Sequence, residues 1–139
     1  MLLALVAGCG DGRLSHADYV KRADAICAAY ADATKPVVRP RSYTEIVAYV
    51  RKTLPLYEAA LRRLKVLRPP SADAATVDLW LAADRRVAKA VRSLGEAAER
   101  RDFPSVTAAA SQAQLAGSDS RRSATALGLN VCARLPSGR

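Results

Sequence analysis

One histidine, one phenylalanine and one tryptophan are spread through 139 residues, with only seven glycines and seven prolines. Glycine and proline this sparse exclude a collagen-like or low-complexity chain. Three cysteines are too few for a disulfide miniprotein. The lone histidine, His16, falls in the first turn of a helix, where imidazole is ordinarily solvated. No H-E-x-x-H, C-x-x-C, E-x-x-H or C-x-x-C-H pattern occurs, so nothing points to a metal, a di-iron centre or covalent haem. Gly8-Cys9-Gly10-Asp11-Gly12 is glycine-rich, but it follows no strand and lacks the Lys-Ser/Thr pair of a phosphate loop. It reads as a flexible tether. No apolar run approaches the roughly 20 residues needed to span a bilayer, and no stretch alternates with a period of two, so strands are not expected. The expectation is a chain with no catalytic residues, no metal and no cofactor.

Alanine supplies 29 of the 139 residues, so much of the apolar fraction is small. The length suits one domain burying roughly two thirds of its unfolded surface. Lys plus Arg number 22 against 13 acids, a formal charge of +9.

The start, Leu2 to Val6 followed by Ala7-Gly8-Cys9, resembles a bacterial lipobox. Small residues before the cut admit the peptidase, and the Cys9 thiol takes the lipid. A secretory signal also has a basic beginning, whereas no Lys or Arg precedes Arg13. The signal is therefore expected to begin upstream of Met1. The competing reading is an apolar tail on a cytosolic helical protein, with Cys9 a free thiol. On the lipoprotein reading, residues 1–8 are signal, 9–14 tether, 15–132 the bundle and 133–139 a tail. The protein is then exported and anchored to the outer face of the cell membrane. Cys27 and Cys132 remain, and two cysteines in an oxidising compartment suggest one disulfide. Two separate buried thiols are the alternative.

Helical spacing organises the rest. Ser15 and Asp18 announce a first helix with Tyr19, Ala23, Ile26, Cys27 and Tyr30 on one face, ending at Lys35-Pro36. Ser42 and Glu45 open a second, whose apolar seam of Tyr43, Val47, Val50, Leu54, Tyr57, Leu61 and Leu64 keeps its register across Pro55. That predicts one helix kinked at Pro55 instead of two. After Arg68-Pro69-Pro70, Ser71 or Asp73 starts a third, with Val77, Trp80, Ala83, Val87, Val91, Leu94 and Ala98 as its core face. Asp102 and Pro104 open a fourth, Val106 to Leu127, rich in Ala and Ser. Leu115 is read as its only large interior residue, Gly117-Ser118-Asp119-Ser120 as the place where a break is left open, and Gly128 as its terminator.

Short links give an all-α, up-down-up-down four-helix bundle. Mirroring residues through the turns leaves Cys27 and Cys132 about 22 Å apart, far beyond the ~7 Å Cα reach of a disulfide. The residues after Gly128 must fold back, or the first helix must slide. The first alternative places Leu129 and Val131 against the bundle.

Leu14-Ser15 through Tyr19, Arg22-Ala23-Asp24-Ala25-Ile26-Cys27 and Leu127-Gly128-Leu129-Asn130-Val131-Cys132 resemble the two ends of small exported lipoproteins of high-GC bacteria. The resemblance runs from Leu14 to Cys132. It implies a helical bundle, an acylated N-terminus and a Cys27–Cys132 link. The truncated signal departs from that pattern, and the group brings no activity with it.

Glu45, Glu58, Asp84 and Glu96 read as scattered carboxylates without a facing pair, with Glu58–Arg62 and Glu96–Arg100 as helix-supporting pairs. Tyr19 and Tyr57 fall at one level, and Tyr30, Tyr43 and Trp80 also lie on apolar faces. With an alanine-rich fourth helix they leave room for an aromatic-lined cavity that takes a small apolar ligand; the preferred reading is a tight core with hydroxyls reaching solvent at its edges. A carrier of ordinary size needs a few hundred Å³. Arg62, Arg63, Lys65 and Arg68 suit the dipole at the end of the second helix. Arg51, Lys52, Arg85, Arg86, Lys89 and Arg92 make a candidate basic belt for anionic lipid headgroups or cell-wall polymer; the preferred alternative is an ordinary solvated face. Nucleic acid is not expected, because no aromatic–basic interleaving accompanies the charge. The leading expectation is a non-enzymatic, membrane-tethered binding module; the second is a carrier of a small apolar ligand.

Overall fold

The computed structural model describes residues 11–135. Cys9, its proposed signal segment and the last four tail residues lie outside the described residues. The described residues form four helices and no strand: α1 (His16–Thr34), α2 (Tyr43–Lys65), α3 (Ala74–Glu99) and α4 (Phe103–Ala126), with 3-10 turns at Ser71–Asp73 and Cys132–Arg134. None of these helices is long and apolar enough to cross a membrane.

Local chemistry sets the helix ends. Ser15 Oγ accepts the Asp18 N–H at 3.1 Å, and Ser42 Oγ accepts that of Glu45 at 3.2 Å. Each satisfies one of the free donors in a first turn. Asp102 does the same for Ser105 at 3.2 Å. α2 runs through Pro55 as a single helix. Pro55 is on the exposed side, where water can take the carbonyl that its missing N–H leaves free. α4 is likewise continuous through Gly117–Ser120. The helix does not break there, because Gly117 is buried in the bundle and Ser120 bonds to α3. Leu115 is also corrected: it is 69% exposed, and the interior of α4 is made of Ala109, Ala113, Ala116, Gly117 and Ala124.

The helices pack in up-down-up-down order. α3 lies between α2 and α4 and makes its broadest contact with α4. α1 packs on α2 and on the C-terminal turn, which itself rests on α4. α2 and α3 come together at Gly95, where even a methyl group would meet Val50 Cγ1 at 2.9 Å. The densest core occupies one end of the bundle. There Tyr19, Trp80 and Leu129 are the largest fully buried side chains, joined by Leu64, Val77 and Leu127.

The tail closes the gap between the two cysteines. Gly128, at φ +75°, ends α4, with its N–H on Thr125 O and that of Leu129 on Ala124 O. The chain turns there beside His16 and climbs back along α1. Leu129 is buried, Val131 packs against the core, and Cys132 joins Cys27 with a Cα–Cα distance of 5.2 Å. Against α3, α1 keeps its height, with His16 Nδ1 2.7 Å from Asp73; along α2 it is displaced, bringing Tyr30 to Tyr57. A second attachment was not visible in the sequence. The Asp24 carboxylate accepts the backbone N–H groups of Asn130, Val131 and Cys132 at 3.0–3.1 Å.

Candidate functional site: a cavity around Asp84

Away from the dense end, the interior of the bundle opens into a cavity of about 110 Å³. All four helices and the tail contribute to its wall. α1 supplies Cys27 and Tyr30, α2 supplies Tyr49, Thr53 and Tyr57, and α3 supplies Trp80 and Asp84. α4 adds Ala110, Ala113 and Gly117, whose small side chains leave the space unfilled, and also Ser120 and Arg121. Arg121 is exposed, so the cavity reaches the surface along α4.

The aromatic groups meet differently from the expected level. Tyr57 packs against Tyr30, edge to face with ring centroids 5.4 Å apart. Tyr19 belongs to the dense end and does not line the cavity, and neither does Tyr43. The reason is register: α1 and α2 are joined by an eight-residue connector, Lys35 to Ser42, not by a tight turn. Tyr49, which the helical seam of α2 did not include, lines the cavity.

At the centre is Asp84, 7% exposed. Its Oδ1 accepts the Tyr57 hydroxyl at 2.9 Å and the Ser120 hydroxyl at 2.6 Å. Three helices are thereby tied through one carboxylate. Burial pushes its carboxyl above the ordinary range, while the two hydroxyls pull in the opposite direction. Burial, with the neighbouring carboxylate, drives the Tyr57 hydroxyl well above its usual value, and burial holds that of Tyr30 up at about 12. Thr53 needs no partner across the bundle, since its hydroxyl donates to Tyr49 O at 2.9 Å within α2.

Asp84 was read as one scattered carboxylate among four. The missed signal is that Trp80, Asp84, Val87 and Val91 follow the same four-three-four spacing as the core face, which places a charge inside the apolar stripe. The supporting pairs differ as well. Glu58 pairs with Arg92 across the helices, not with Arg62 along its own.

The basic belt is partly neutralised. Arg51 pairs with Glu99 at 3.0 Å, Arg86 with Asp119 at 3.0 Å, and Arg92 with Glu58. Lys52, Arg85 and Lys89 are exposed and form no ion pair among the described residues. Arg51 stands against the end of α3, several turns from Arg85 and Arg86, so the cations do not gather at one level. The Pro69–Pro70 link and the 3-10 turn displace the mirror point that the expected belt assumed. His16, bonded to Asp73, is exposed. No group of three His, Cys, Asp or Glu is placed to hold a metal among the described residues.

Comparison with protein-family models, curated proteins and solved structures finds no match to this chain.

Proposed function

We propose that the protein is an exported, lipid-anchored binding protein whose bundle interior carries a small molecule. The cavity carries this reading: it is aromatic-lined, reaches the surface, and has a polar centre at Asp84. Its volume of about 110 Å³ lies below the few hundred Å³ of sites for drug-sized ligands. It is nearer the ~150 Å³ cavity that takes benzene. The carrier reading is thus narrowed to ligands of about five heavy atoms, or to the end of a longer molecule entering beside Arg121. Val6-Ala7-Gly8-Cys9 supports lipid attachment at Cys9, and the Cys27–Cys132 link suits an oxidising compartment outside the membrane. The half-paired belt favours the interior over the surface as the binding element.

Titration of the ¹⁵N-labelled protein with 1-butanol tests the reading. Shifts are expected at Trp80, Tyr57 and Ala113, and Ala113→Leu, which fills the cavity, abolishes them. Shifts scattered over the surface, or unchanged by Ala113→Leu, would refute it.

A further inference from the structure

A carboxylate buried in a protein is ordinarily paired with a cation or neutralised by a proton, because leaving it bare in a low-dielectric interior is costly. Asp84 lacks the first remedy. Among the described residues no Lys, Arg or His lies within ion-pair distance of it, although seven such pairs form elsewhere in the molecule. Its two oxygens are also treated unequally. Oδ1 takes both hydroxyls, from Tyr57 and Ser120. Among the described residues Oδ2 accepts no hydrogen bond, and it is not among the fully enclosed polar atoms left without a partner, a condition found there at the Tyr19 hydroxyl alone. Asp84 lines the cavity, the open space nearest to hand for that oxygen.

Apart from Arg121, where the cavity reaches the surface, the surroundings suit positive charge. Tyr30, Tyr49, Tyr57 and Trp80 line the same space, and aromatic faces attract cations, most strongly where water is excluded. The wall between them is aliphatic, so the occupant needs hydrocarbon as well as charge. A metal ion would want further anionic or imidazole donors, and no such cluster is present among the described residues. An anion would meet the carboxylate. A quaternary ammonium has no N–H to give, whereas Oδ2 offers unused lone pairs.

We propose that the cavity binds a small organic amine in its protonated form, with the ammonium N–H groups donating to Asp84 Oδ2 and the alkyl part held between the tyrosines and Trp80. This deepens the proposed function and rests on it, since it requires the cavity to be a ligand site. Tyr57 and Ser120 then act as positioning residues: by occupying Oδ1 they hold the carboxylate so that Oδ2 faces the ligand. The structural role of Asp84 in joining α2, α3 and α4 is served by Oδ1 alone and leaves Oδ2 unexplained.

Three probes of one size and different charge distinguish the outcomes: n-butylammonium, 1-butanol and butyrate, titrated into the disulfide-bonded protein near neutral pH. Trp80 fluorescence and amide shifts report occupancy. Butylammonium is expected to bind about tenfold or more tightly than 1-butanol, the scale of a charge-assisted hydrogen bond, and butyrate weakest. Asp84→Asn, whose side chain can still accept both hydroxyls, removes that preference and leaves 1-butanol unchanged. The same loss follows in the unmutated protein on acidification, as Asp84 takes up a proton. The other polar side chains of the cavity wall are Tyr30 from α1, Tyr49, Thr53 and Tyr57 from α2, and Ser120 and Arg121 from α4, so no second carboxyl and no imidazole shares the site. Lys89→Gln, on the exposed outer face of α3 and outside the cavity wall, is expected to preserve the preference. Equal binding of butylammonium and 1-butanol, or a preference surviving Asp84→Asn, would overturn the amine assignment while the cavity reading stood. Absence of any probe from the cavity would overturn both.

Discussion

Two tyrosines in this bundle are both withdrawn from water, yet removing their hydroxyls should move stability in opposite directions. Tyr19 is fully buried, and its hydroxyl has no hydrogen-bond partner among the described residues. Burial, with Asp73 and Asp78 nearby, pushes it up to about 12. An unsatisfied buried hydroxyl costs about 1–3 kcal/mol. Tyr19→Phe keeps the ring, removes that cost and opens no space larger than one oxygen, so a gain of about 1 kcal/mol is expected. Tyr57 donates to Asp84 at 2.9 Å. Tyr57→Phe loses a bond to a carboxylate, worth about 1.5–3 kcal/mol, and leaves Oδ1 with Ser120 alone. The two variants, identical in covalent change, should differ by about 3 kcal/mol. Equilibrium urea unfolding followed by Trp80 fluorescence reads this directly, with unchanged m-values as the control for two-state behaviour. Similar losses in both variants would refute the reasoning, because Tyr19 would then have a partner as good as that of Tyr57.

The remaining predictions concern the staple, the helix contact and pH. Replacing Cys27 and Cys132 by alanine releases a loop spanning 105 positions and should cost about 4–5 kcal/mol in the chain-entropy account; a loss below about 1 kcal/mol in urea unfolding would show that Asp24 and Leu129 hold the tail unaided. Gly95→Ala gains up to about 1 kcal/mol of helix propensity, but its methyl meets the stiff Val50 side chain at 2.9 Å; overlap of that kind costs about 1–3 kcal/mol, so thermal unfolding should show a net loss that Val50→Ala partly reverses. Asp84 has a raised folded-state pKa, so the folded state binds its proton more tightly than the unfolded chain does. Its charge therefore penalises folding at neutral pH, and the penalty fades as pH falls through the folded value towards the unfolded one of about 3.9. Asp84→Asn should accordingly be the more stable protein near pH 7, with the advantage vanishing by about pH 4; an advantage that grows on acidification would contradict this.

Local signals made the scaffold legible. Ser15, Ser42 and Asp102 each cap the helix they announce, and the Leu54–Tyr57–Leu61 spacing carried α2 across Pro55 because the core face is set by side chains on the side away from the proline. The link between Cys27 and Cys132 followed from counting, and the need for the tail to fold back followed from the distance a disulfide allows. What could not be read were the contacts that depend on the relative height of two helices. Tyr57 meets Tyr30 and not Tyr19, and Arg51 meets Glu99 far from Arg85. Both heights are set by connectors, Lys35–Ser42 and Arg68–Asp73, whose geometry no periodicity encodes. Leu115 failed for a different reason. In a helix of alanine and serine the apolar stripe has little contrast, so one leucine does not mark the inner face.

The same lack of contrast explains how a bundle this small can keep an opening inside. Alanines and Gly117 on α4 leave about 110 Å³ unfilled, and at roughly 24 cal/mol per Å³ such a void costs about 2.6 kcal/mol. The bare carboxylate of Asp84 adds to that cost. Both lie beside Cys27 and Tyr30 of α1, a helix that packs on α2 and the C-terminal turn. The compensation sits at the same place. The disulfide joins α1 to that turn beside the cavity wall, contributing about 4–5 kcal/mol, and Asp24 gathers three backbone N–H groups one turn before it. Cys27 and Cys132 both line the cavity, so the staple fixes one edge of its wall and filling the space bears on the same contacts. An Ala113→Leu variant makes this measurable: with the cavity filled, the protein should lose less stability on removal of the Cys27–Cys132 link than the unmodified chain does, in a double-mutant cycle read by urea unfolding. Strict additivity of the two changes would mean that the staple and the cavity are unrelated.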